Sequence, residues 1–174
     1  MPLYEAAYPL KRYKCPITQK AFLTQLSRLL PPGCKPVIAT DAGFQNSWFA
    51  DVLALGWDFI GRLSSTVLLR ADEAARWKKA TTRPRQATPC AQALGSHIVA
   101  KSRPVTGALY LVKRIKKGRN RKTKHGKSCR SAQARAHQKA GRRPWLLFSS
   151  LDVPAESLVS RYAQRMQIEE AFRD

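Results

Sequence analysis

Apolar positions along this chain fall into runs whose spacing switches between helical and strand-like. Phe22, Leu23, Leu26, Leu29 and Leu30 recur three and four residues apart and share one helix face, which Pro31-Pro32 must end. Thr18 reads as the cap of that helix, with Ile17 before it and Phe22 placed to close a hydrophobic staple. The run Val37-Ile38-Ala39-Thr40 reads as a strand and Asp41-Ala42-Gly43 as a turn; Trp48, Phe49, Val52, Leu53 and Leu55 then repeat at helical spacing up to Gly56. Trp57 to Leu63 is a second strand-like run. Two strands joined through a helix normally form a right-handed parallel βαβ unit, so an α/β core is expected. Leu3, Tyr4, Ala6 and Tyr8, before Pro9, predict a short strand ahead of all this.

From Arg76 to Arg143 the pattern fades to short strand-like pieces, His97–Ala100 and Ala108–Ile115. Pro144 to Phe148 restore an apolar strand. Pro154-Ala155-Glu156 then open a helix on which Leu158, Val159, Tyr162 and Met166 recur at helical spacing. That helix meets no Gly, Asn or Pro stop signal before Asp174, and the first strand has nothing before it. A fragment of a longer protein is the expectation.

Length and composition narrow the class. With 174 residues the chain fits one ordinary domain, and 44% apolar residues exclude disorder through low hydrophobicity. No run approaches the roughly 20 apolar residues of a membrane helix. The opening MPLYEAAYPLKRYK puts its cations after the apolar stretch, unlike a secretory signal. Cys15, Cys34, Cys90 and Cys129 form no Cys-x-x-Cys pair, which argues for a reduced, cytoplasmic chain. His125, Cys129 and His137 lie among cations that would repel a metal ion.

Charge changes the picture most. Lys and Arg number 32 against 11 Asp and Glu, a net charge of +21, which points to nucleic acid phosphates. No acid occurs between Glu73 and Asp152, and Lys113 to Arg143 hold fourteen Lys or Arg. Lys113, Arg114, Lys116, Lys117, Arg119, Arg121, Lys122 and Lys124 are the densest part of this expected phosphate-binding arm.

Two features could carry chemistry. Asp41 sits where a parallel strand turns toward a helix, the end of an α/β sheet at which ligands bind. Tyr162, Arg165 and Glu169, three and four residues apart, share one helix face. Taken alone, the commoner readings are a turn-forming Asp and an exposed Arg–Glu pair contributing about 0.3–0.5 kcal/mol.

Taken together, Thr40-Asp41-Ala42-Gly43-Phe44, Leu55-Gly56-Trp57 and the stretch from Tyr162 to Asp174 resemble bacterial DDE-type insertion-sequence transposases. The likeness is to the family named after insertion sequence four, which includes the cut-and-paste element flanking transposon ten. Tyr162, Arg165 and Glu169 match that family's Tyr-x2-Arg-x3-Glu-x6-Lys signature; its Lys would fall two positions beyond Asp174. The resemblance implies a ribonuclease-H-like, retroviral-integrase-like core, incomplete here, with a β-rich basic insertion over about 64–143 and core segments at 1–63 and 144–174. It implies Asp41 and Glu169 as the second and third catalytic acids and metal ligands, with the first on an upstream strand. Tyr162 and Arg165 would orient DNA phosphates or a hairpin. Two Mg²⁺ ions, for which Mn²⁺ can substitute, would serve the complete enzyme; the partners would be transposon ends and target DNA, with self-association but no membrane. Little catalysis is expected from the chain alone. A non-catalytic basic nucleic-acid-binding protein is the alternative, and a small basic ribosome-like protein ranks last.

Overall fold

The computed structural model describes residues 3–12, 14–113 and 144–171, with 166–171 described as backbone alone. Its first helix, α1 (Pro16–Leu29), starts three residues earlier than the capping pattern predicts. Proline at the first helical position needs no hydrogen-bond partner for its nitrogen and arrives with its φ already helical, so it sets the start. Cys15 is the cap, Thr18 is buried inside the helix, and Ile17 is exposed and staples nothing. The strand expected near the N-terminus is also absent. Residues 4–9 have no regular structure and Leu10–Arg12 form a 3₁₀ turn.

The expected βαβ unit is present as β1 (Val37–Thr40), α2 (Asn46–Ala54) and β2 (Asp58–Arg62), with the strands parallel. Chain order continues with β3 (Leu68–Arg70), β4 (Lys78–Lys79), β5 (Gln92–Val99), β6 (Val105–Val112), β7 (Trp145–Ser149) and α3 (Ala155–Ala171). The seven strands among the described residues join one sheet in the order β1-β2-β7-β6-β5-β3-β4. β7 runs antiparallel to both β2 and β6, so it ties the βαβ unit to the antiparallel remainder.

Side chains alternate across a strand, and the sheet uses both faces. Phe59 and Phe148 pack with Leu23 of α1 and Trp48, Phe49 and Val52 of α2. Ile60 and Leu147, one position along, pack on the opposite face with Leu158 and Tyr162 of α3. The helices thus form two layers with the sheet between them. At Gly61 a Cβ would fall 2.3 Å from the Phe49 ring, so only glycine lets α2 lie this close to β2.

His97 on β5 is buried at 3% exposure. Arg83 can only donate, so His97 Nε2 accepts from it at 3.3 Å while Nδ1–H donates to the Gly95 carbonyl at 3.2 Å. Burial pushes the His97 pKa down, the Gly95 bond opposes this, and the charge of Arg83 adds to the depression. The unfolded chain therefore takes up the proton first. Stability should hold above the ordinary value of 6.5 and fall as pH drops below it. Urea midpoints measured from about pH 8 to about pH 5 check this. The decline should shrink in His97→Gln, and an identical decline in that variant would rule His97 out as its cause.

Candidate active site

Asp41 follows the last residue of β1, at the carboxyl end of the parallel pair. Its Oδ1 accepts the Gly43 N–H at 2.7 Å, which folds the chain back toward α2 and holds the exposed carboxylate at the sheet end. Thr40 pairs with Gly61, so Arg62 of β2 comes level with Asp41 across the same end.

α3 supplies the other half. Tyr110 fixes its approach: its hydroxyl donates toward the Leu151 and Val153 carbonyls, at 3.1 and 3.0 Å, and accepts the Val153 N–H at 3.1 Å. Glu156, in the first turn of α3, accepts the Ala91 N–H at 2.9 Å. Tyr162 is then buried at 1% exposure, edge-on to Trp145 with ring centres 5.0 Å apart. The Arg165 guanidinium lies 5.6 Å from the centre of the Tyr162 ring.

Burial pushes the Tyr162 phenol pKa up; the guanidinium groups of Arg165 and Arg62 pull it down, and the Asp41 carboxylate pushes it up further. Asp41 and Arg165 also line one cavity of about 600 Å³. The structure thus places Asp41 and Arg165 on one cavity and Tyr162 against Arg165, and it sets Arg62, which the motif does not contain, level with Asp41. The place of Arg62 follows only from strand register, since one step past Thr40 and Gly61 stand Asp41 and Arg62.

Glu169 lies on the α3 backbone four positions past Arg165, and its side chain is outside the described residues, as is any approach to Asp41. Lys113 is exposed just past the end of β6, while Arg114, Lys116, Lys117, Arg119, Arg121, Lys122 and Lys124 lie outside the described residues. So do His125, Cys129 and His137. Among the described residues no three His, Cys, Asp or Glu side chains cluster as a metal site. Asp41 presents an exposed carboxylate, the oxygen donor a hard cation takes, with one oxygen held by the Gly43 N–H. No helix among the described residues is long and apolar enough to cross a membrane.

A carboxylate at a parallel strand end, with guanidinium groups beside it, suits a protein that handles phosphate esters and the metal ions they bring. Residues 16–174 match the family described as Transposase DDE domain, and the chain belongs to that family. Its members are transposases, which act on DNA and generally use divalent metal ions. No curated protein matches the chain.

Proposed function

We propose that the chain is part of a cut-and-paste transposase of the insertion-sequence-four type, with Asp41 and Glu169 as two of its three catalytic acids. The supporting observation is that Asp41 and Arg165 line one cavity at the end of β1, with Arg62 level with Asp41 in strand register and the Arg165 guanidinium 5.6 Å from the Tyr162 ring centre. Asp41 and Glu169 would hold Mg²⁺, or Mn²⁺ in its place. Two such ions, if held there, would supply activation of the attacking water or 3′-hydroxyl and stabilisation of the leaving oxygen. The chain's own cations then do the positioning: Arg165 and Arg62 bind the DNA phosphate, and Tyr162 sets the Arg165 guanidinium against its ring. The core segments 1–63 and 144–174 carry this site, and the basic insertion of about 64–143 holds the DNA through its arm.

Catalysis needs a third acid, which we place on a strand beside the outer edge of β1. That edge is unpaired among the described residues. The same edge is where self-association would occur. Without the third acid the chain binds metal weakly and does not cut.

A Mn²⁺ titration followed by electron paramagnetic resonance tests the assignment. Asp41→Asn should weaken binding by more than about tenfold, since even outer-shell changes cost that much. Tyr162→Phe should leave it unchanged. Equal affinity in Asp41→Asn and the parent chain would favour the non-catalytic DNA-binding protein instead.

A further inference from the structure

The turn that joins β5 to β6, residues 100–104, reaches across to the start of α2. Asn46 opens α2 just after the Asp41–Gly43 turn, and its Nδ2 donates to the Arg103 carbonyl. A carbonyl only accepts, so the amide must face Arg103 with its Nδ2, although this leaves Oδ1 buried without a partner among the described residues. Two residues of the turn, Ala100 (φ 64°) and Arg103 (φ 57°), are in the left-handed region that such side chains rarely enter. Strained backbone of this kind persists only where its neighbours fix it. The neighbours are Leu68, whose carbonyl accepts the Ala100 N–H at 2.9 Å, and Asn46.

Held in this way, the turn borders a second cavity, of about 420 Å³. Ala42 and Gly43 from the turn after β1, Asn46 and Ser47 of α2, and Ser102 and Arg103 of the β5–β6 turn share its lining. No Asp or Glu is among its lining residues, and Arg103 is exposed. A guanidinium with hydroxyls nearby and no acid suits one phosphate group: the guanidinium forks onto two of its oxygens, and the hydroxyls of Ser47 and Ser102 can donate to the same group.

We infer that the β5–β6 turn is a DNA contact separate from the basic arm: Arg103 binds a backbone phosphate beside the Asp41–Gly43 turn, and Asn46 is the positioning residue that holds it there. Asn46 touches no DNA. It acts through the Arg103 carbonyl, and because it follows the Asp41–Gly43 turn directly, it ties the place of that phosphate to the place of the carboxylate. The phosphate rests on the transposase reading; the hold of Asn46 on the turn does not.

Binding of a labelled DNA duplex across a salt series, with EDTA present so that no metal takes part, tests both claims. Arg103→Ala should weaken binding by about tenfold and reduce the salt slope by about 0.9, one phosphate contact. Asn46→Ala changes no charge, yet it should lower affinity and slope by as much, because a released turn no longer presents the guanidinium. The double variant should be no weaker than either single one, since the two residues form one device. Hydrogen exchange of Asn46→Ala should speed up at the Ala100 amide by about tenfold and stay unchanged along Leu109–Val112 of β6, which shows that the turn is released and the sheet intact. Full affinity in Arg103→Ala would overturn the phosphate contact. The parent slope in Asn46→Ala, or losses that add in the double variant, would overturn the positioning role. A parent chain that binds no DNA at any salt would overturn the DNA reading itself, whereas a parent that binds beside unaffected variants would overturn this inference alone.

Discussion

Neutralising Lys116, Lys117, Arg119, Arg121, Lys122 and Lys124 together is expected to flatten the salt dependence of DNA binding and remove most of the affinity at low salt. Each phosphate contact releases counterions and contributes about −0.9 to the slope of log affinity against log salt. Loss of these contacts should therefore reduce the slope by about 5. The parent chain should lose about a thousandfold in affinity between about 50 and about 200 mM salt, and the variant far less. Phosphate contacts carry no sequence information, so the loss should be equal on duplexes of unrelated sequence. Fluorescence anisotropy across a salt series reads both quantities. An unchanged slope would move the main contact to the exposed cations Arg76, Lys78, Lys79 and Arg85.

The second large effect is an absence: the purified chain should not cleave or join transposon ends, with Mg²⁺ or with Mn²⁺. In-line displacement needs both the attacking and the leaving oxygen stabilised, which two ions share. One carboxylate lines the cavity at β1, Asp41, and Glu169 would be the second. On the proposed reading Asp41 and Glu169 are two of three acids, and these two alone would hold one ion poorly, which would cost much of the rate because charge stabilisation is the main catalytic term. A supercoiled donor plasmid with matched ends is the substrate for the assay. Reproducible cleavage that disappears in Glu169→Ala would show that the described acids suffice.

The sequence made the βαβ unit legible because its apolar period changes from two to helical and back within 37–63, and turn residues mark each change. β7 and α3 were readable for the same reason. The β5–β6 hairpin was only half visible. β5 shifts register between Ala93 and Ser96, and Gly95 there has φ +79°, which breaks the alternation that identifies a strand. β3 and β4 are too short to show any period. Thr18 misled because a good capping side chain two residues inside a helix looks the same in sequence as a cap, and Pro16 outranked it. Residues 4–9 have apolar side chains but no strand beside them, and a strand without a partner does not form. At the proposed site, spacing together with the resemblance singles out Asp41, Tyr162 and Arg165 but not Arg62, because its place depends on the register between two strands.

The most direct test of the shared metal site is backbone cleavage directed by Fe²⁺ in place of Mg²⁺. Hydroxyl radicals generated at the bound ion cut the chain nearest to it, so mass spectrometry of the fragments maps its surroundings. If Asp41 and Glu169 hold one site, cuts should cluster in two places, at the Thr40–Gly43 turn and on α3 around Glu169, and both clusters should vanish together in Asp41→Asn. Cuts at one of these places without the other, or cuts that persist in Asp41→Asn, would contradict the shared site.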